Sequence, residues 1–141
     1  MKKLTKRKSK YTPGDFALRV GKSATGKGLF ATTDIPKGVC IVEYTGKNVP
    51  EAEQYTSLSK YLFEVGKNKM INGNIPGNTA KYINHSCRPN CEPDGPYGRM
   101  FIFSRRKIKA GEELTYDYGK EYFDEHIKPK GCRCVKCTSL K

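Results

Sequence analysis

The alternation of apolar and polar positions points to strands. Phe16-Ala17-Leu18-Arg19-Val20 alternates between two faces, and Tyr61-Leu62-Phe63-Glu64-Val65, Met100-Phe101-Ile102-Phe103 and Glu113-Leu114-Thr115-Tyr116-Asp117-Tyr118 repeat that period of two. Val39-Cys40-Ile41-Val42-Glu43-Tyr44 has the β-branched content of a strand. Leu29-Phe30-Ala31 follows the turn-rich Ser23-Ala24-Thr25-Gly26-Lys27-Gly28, and Ile35-Pro36-Lys37-Gly38 reads as a second turn. Residues 51–57 predict one short helix, and the Asn, Gly and Pro of residues 72–98 call for turns and irregular backbone. The predicted fold class is mostly β, with short strands in small sheets and short helices only.

A chain of 141 residues suits a single domain with tails. With 36% hydrophobic residues, nine Tyr and six Phe, it is too apolar for a fully disordered chain. The net charge of +13 is unevenly placed: Lys2, Lys3, Lys6, Arg7, Lys8 and Lys10 crowd the start, which predicts a disordered basic arm over residues 1–14. Such an arm suits nucleic acid as a partner, or serves only as a solvated tail. No apolar run approaches the ~18 residues needed to cross a membrane, and the start lacks the apolar stretch of a secretory signal. The expectation is an intracellular protein without membrane contact, with cytoplasm and nucleus both open. Three of the six cysteines crowd into Cys132-Arg133-Cys134-Val135-Lys136-Cys137, where mutual bridging would be strained; inside a cell such a cluster favours metal.

Two segments are dense in chemistry. Tyr82-Ile83-Asn84-His85-Ser86-Cys87-Arg88-Pro89-Asn90-Cys91 carries more donors, acceptors and sulfurs than an ordinary loop. In Gly111-Glu112-Glu113-Leu114-Thr115-Tyr116-Asp117-Tyr118-Gly119, the tyrosines at i and i+2 share one face of a strand and can line one wall of a slot. Glu112, Glu113 and Asp117 make this neighbourhood acidic within a basic chain, which suits a cation.

Taken in order, these segments resemble the SET domain family of protein-lysine methyltransferases. The resemblance rests on Gly26-Lys27-Gly28-Leu29-Phe30-Ala31, on Asn84-His85-Ser86-Cys87 through Pro89-Asn90-Cys91, on Gly111 to Gly119, and on the final cysteines, which look like a post-SET segment. It implies a SET domain over residues 15–120 with knot-like C-terminal threading, followed by a post-SET segment over residues 121–141. It also implies transfer of a methyl group from S-adenosylmethionine to a lysine ε-amine of a histone-like or other basic protein, by in-line displacement without a covalent enzyme intermediate.

The resemblance assigns roles residue by residue. Main-chain groups of Lys27, Gly28 and Leu29 lie against the cofactor, where Gly26 and Gly28 permit close approach. Asn84 and His85 hold its amino acid end. Tyr118 matches the catalytic tyrosine that orients the reacting groups, and it too borders the cofactor. With a phenol pKa near ~10 and a lysine pKa near ~10.4, desolvation of the amine is a simpler route to the neutral nucleophile than a tyrosine base. Tyr61 matches a second channel tyrosine. Tyr116 matches a switch that limits the product mainly to mono- or dimethyl-lysine.

One structural zinc is implied on Cys87, Cys132, Cys134 and Cys137. The two residues between Cys134 and Cys137 resemble the SET and MYND group, although the chain has no MYND finger. Cys40 and Cys91 are left as buried thiols and Tyr44 as a core or surface aromatic. With no pre-SET cysteines before Phe16 and a short insert between Tyr44 and Ala80, the chain looks like a minimal free-standing SET protein. Two other readings stay open: a small basic zinc protein that binds nucleic acid, and a catalytically silent SET module that binds peptides. The oligomeric state is unknown.

Overall fold

Ser23 and Gly26 face each other across a two-residue turn that joins the first two strands, β1 (Leu18–Ser23) and β2 (Gly26–Ala31). Gly26 closes that turn at φ +117°, a conformation that side chains rarely adopt. The segment expected as a turn through Gly28 is therefore mostly strand, because antiparallel pairing from Lys22↔Lys27 to Leu18↔Ala31 overrides the weak strand preference of glycine. This computed structural model describes residues 9–50, 53, 61–119, 127–128 and 131–132. The helix expected over residues 51–57 lies outside them, apart from Glu53, and so does the threading expected of the C-terminal segment.

A second sheet has the order β3-β9-β8, from β3 (Cys40–Tyr44), β8 (Cys91–Asp94) and β9 (Met100–Ser104). Alternation predicts a half-buried β9, yet Phe101 and Ile102 are both fully buried. The cause is the preceding chain. Tyr11 lays its ring 5.5 Å from Phe101 and 5.9 Å from Phe103, Gly14 donates its N–H to the Cys40 carbonyl at 3.0 Å, and Lys10 pairs with Asp94 at 3.1 Å. Residues 10–14, assigned to the arm by composition, thus cover one face of the sheet. The sequence pattern predicts no strand at β8, and Pro93 is tolerated in it because β8 is the edge strand.

A third sheet has the order β4-β6-β5, from β4 (Lys47–Val49), β5 (Leu62–Gly66) and β6 (Lys69–Asn72). Between the second and third sheets, buried Asn78 receives the Thr45 N–H on its Oδ1 at 3.1 Å and donates from Nδ2 to the Gly73 carbonyl at 2.8 Å. A short 3₁₀ helix, Thr79–Tyr82, then leads into β7 (Asn84–His85), which pairs in parallel with β10 (Thr115–Tyr116). The strand expected over residues 113–118 is thus shortened to two residues. Its upstream part instead runs antiparallel to β2: Ala31 donates to the Glu112 carbonyl at 2.9 Å, and Leu114 to the Leu29 carbonyl at 2.8 Å. Leu29, Ala31, Ile35, Tyr44, Ile83, Ile102, Ile108, Leu114 and Tyr116 belong to the one buried core that these pieces enclose.

Candidate active site

The parallel register Thr115↔Asn84 and Tyr116↔His85 brings the two chemistry-dense segments side by side. Asn90 locks them together. This buried residue donates from Nδ2 to the Glu113 carbonyl at 2.8 Å and receives the Thr115 N–H on Oδ1 at 2.9 Å. Ser86 adds an N–H bond to the Tyr116 carbonyl at 3.1 Å.

An aromatic run crosses the site. Ring centroids are 4.7 Å apart for Tyr44 and Phe63, 5.6 Å for Phe63 and Tyr116, and 4.9 Å for Tyr116 and Tyr118, and His85 follows 5.5 Å from Tyr118. The two tyrosines expected on one wall are therefore neighbours, Tyr116 buried and Tyr118 half-buried. The Tyr118 hydroxyl donates to the Ile83 carbonyl at 2.5 Å, which commits its proton and leaves its oxygen as an acceptor. Tyr61 connects to this run through its carbonyl, which receives the Tyr44 hydroxyl at 3.2 Å and the Gly73 N–H at 2.7 Å. Tyr44 is fully core, and its burial pushes the phenol pKa up. Phe63, which links Tyr44 to Tyr116, reads from sequence as an ordinary strand aromatic.

His85 is held by its imidazole. Tyr118 donates its N–H to Nδ1 at 3.0 Å, so the neutral ring carries its proton on Nε2, which faces the Cys87 sulfur at 3.4 Å. Burial lowers the His85 pKa, with Asp117 opposing. Asp117 Oδ1 is 3.7 Å from Nδ1, but a nitrogen already receiving an N–H has no proton to give it, so the contact is not an ion pair. Both ring nitrogens face protein atoms.

The Asn84 amide gathers the glycine-rich strand. Its Nδ2 donates toward the Lys27 carbonyl at 2.9 Å, the Ser23 hydroxyl at 3.1 Å and Glu113 Oε2 at 2.8 Å. Lys27, Gly28 and Leu29 are thereby drawn beside β7, and the Lys27 ammonium lies 5.6 Å from the Tyr82 ring centroid. The Leu29 carbonyl is taken by Leu114. Gly28 also lies under a neighbour: a Cβ there would meet the Glu113 carboxylate, which would have to shift to admit it.

For the metal, Cys87 and Cys132 sulfurs lie 3.9 Å apart. Two thiolates on one tetrahedral zinc, each bound at ~2.3 Å, are separated by roughly 3.8 Å, so this pair fits. Cys134 and Cys137 lie outside the described residues. His85 completes a three-residue cluster with the pair, all ligand atoms within 4.8 Å. Ligation through Nε2 would place the ring proton on Nδ1, against the Tyr118 N–H, so thiolates suit the remaining positions better. Cys40 and Cys91 are buried thiols as expected, burial pushing their pKa values up to about 11 and about 12. A cleft of about 540 Å³ lined by Lys10, Phe16, Cys40, Asp94 and Phe103 contains none of the predicted site residues. Among the described residues no helix is long and apolar enough to cross a membrane.

The SET domain family matches residues 26–119. The chain is 38% identical over 126 residues to the histone-lysine N-methyltransferase trr of Drosophila melanogaster, covering 79% of this chain and 5% of that protein. It is 37% identical over 122 residues to the H3 lysine-36 specific histone-lysine N-methyltransferase of Schizosaccharomyces pombe, covering 77% of this chain and 15% of that one. A crystal structure of the Chaetomium thermophilum polycomb repressive complex 2 superposes with a TM-score of 0.65 at 33% identity, covering 74% of this chain and 15% of that chain. The matches do not favour a nucleic-acid-binding zinc protein or a silent peptide-binding module.

Proposed function

Because the chain belongs to the SET domain family, we propose that it is a protein-lysine methyltransferase that uses S-adenosylmethionine and acts on a histone or another basic protein. One observation carries the reading: Asn84 and His85 pair in parallel with Thr115 and Tyr116, and Tyr118 donates its N–H to the His85 ring. Main-chain groups of Lys27, Gly28 and Leu29, together with Asn84 and His85, would hold S-adenosylmethionine, which would supply an electrophilic methyl to the amine, its sulfur leaving as a neutral thioether.

The chain's residues position and desolvate. The aromatic run from Phe63 to Tyr118, backed by buried Tyr44, offers the lysine a low-polarity wall, which lowers its pKa toward the neutral nucleophile. Tyr118, its proton given to Ile83, offers an oxygen that can only accept and so aligns the reacting groups. Tyr61 completes the channel, and Tyr116 limits the product mainly to mono- or dimethyl-lysine. Catalysis then rests on orientation and fixed dipoles rather than on a nucleophile. One zinc on Cys87, Cys132, Cys134 and Cys137 ties the C-terminal tail beside the site. The histone substrate follows the names of the Drosophila and fission yeast relatives.

Titration calorimetry with S-adenosylmethionine, paired with radiolabelled methyl incorporation into core histones, tests the reading. Saturable heat and label retained on lysine support it. No saturable heat and no rise in melting temperature would remove its basis.

A further inference from the structure

Asn84 Nδ2 has two hydrogens and three acceptors around it. The Ser23 hydroxyl can also donate, so it does not fix which way the amide faces. The Lys27 carbonyl and the ionised Glu113 carboxylate can only accept. With the amide reversed, Asn84 Oδ1 would stand 2.9 Å from a carbonyl oxygen and 2.8 Å from a carboxylate oxygen, two repulsive contacts. Of the two, the charged acceptor makes the stronger bond.

The main chain at Glu113 is itself held on both sides. Its neighbours Glu112 and Leu114 bond to Ala31 and Leu29, its carbonyl receives Asn90 Nδ2 at 2.8 Å, and buried Leu114 points to the opposite face. Its carboxylate occupies the volume over Gly28 that any side chain would fill. We infer that Glu113 is a positioning residue of the cofactor site: its carboxylate, seated over Gly28, fixes the Asn84 carboxamide with Nδ2 turned into the protein and Oδ1 reserved for a donor on the ligand.

The donor that this assignment selects is the α-ammonium of the amino acid end, so the inference rests on the methyltransferase reading above. Glu113→Ala removes the stronger of the two acceptors and leaves the Lys27 carbonyl alone to hold the amide. Glu113→Gln keeps an oxygen that can accept from Nδ2.

The test is binding of S-adenosylmethionine and of 5′-methylthioadenosine, which lacks the amino acid end, to the full chain and both variants, with melting temperatures and KM values for cofactor and substrate peptide. Glu113→Ala is expected to weaken S-adenosylmethionine about tenfold. It should leave 5′-methylthioadenosine and the peptide KM within about twofold, and Glu113→Gln should recover most of the loss. Unchanged S-adenosylmethionine affinity in a folded Glu113→Ala variant overturns the inference. So does an equal loss for both ligands, which marks a general structural role, or a Glu113→Gln variant as weak as the Ala one, which marks charge rather than hydrogen-bond geometry. Failure of the wild type to bind S-adenosylmethionine instead sinks the methyltransferase reading itself.

Discussion

The Tyr118 hydroxyl and the Ile83 carbonyl lie 2.5 Å apart, with the hydroxyl as donor. The phenol thus has a fixed rotamer and a fixed proton, and its function depends on one oxygen. Tyr118→Phe removes that oxygen and almost no volume. We expect methyl transfer to fall by at least ~10²-fold, the scale for losing one preorganised polar group at a reacting centre. The melting transition should move by no more than one lost hydrogen bond, about 1 kcal/mol. Wild-type turnover in the folded variant contradicts the role.

Asn90 bridges the two site segments from a buried position. Asn90→Ala strands the Glu113 carbonyl and the Thr115 N–H, and we expect a loss of about 2–4 kcal/mol in denaturant unfolding. A loss below about 0.5 kcal/mol, the range of an ordinary surface substitution, would show that the clamp does not hold the segments.

The metal reading predicts one zinc per chain by elemental analysis of protein purified without chelators. Cys132→Ser should release it, lowering activity while the β-sheet circular dichroism persists, because the core residues are contributed by other segments. Metal-free, fully active wild type refutes the site.

Thiol reactivity separates the cysteines. At pH 8, well below thiol pKa values of about 11 and about 12, Cys40 and Cys91 should resist iodoacetamide in the native protein. Cys87 and Cys132, both half-buried, should become reactive once a chelator is added. Peptide mapping that finds label on native Cys91 argues against its burial.

Product analysis tests Tyr116, which is buried between the rings of Phe63 and Tyr118. The wild type should stop mainly at mono- or dimethyl-lysine, and Tyr116→Phe should shift mass spectra toward higher methylation. An unchanged ratio assigns Tyr116 to packing alone.

The sequence showed most clearly where residue type alone signals chemistry. Asn84-His85 and Tyr116 with Tyr118 stand out because such polar and aromatic groups are unusual together, and the structure pairs them. The missing parts depend on distant partners. Glu113 reads as one acid among several until β2 folds beneath it and places Gly28 under its carboxylate. Phe63 gains meaning only from Tyr44 and Tyr116 on either side. β8 was concealed by Pro93 and by the turn-rich composition around it, and the double burial of β9 by a covering segment with the composition of a tail.

The Asn84 amide spans 61, 57 and 29 residues of chain to reach Ser23, Lys27 and Glu113. Contacts so far apart in sequence cost more loop-closure entropy than the local β1–β2 hairpin. A partly folded chain can hold that hairpin without the contacts that Asn84 makes. Under the proposed function, ligand bound at Asn84 would stabilise the complete fold against global unfolding rather than against local fraying.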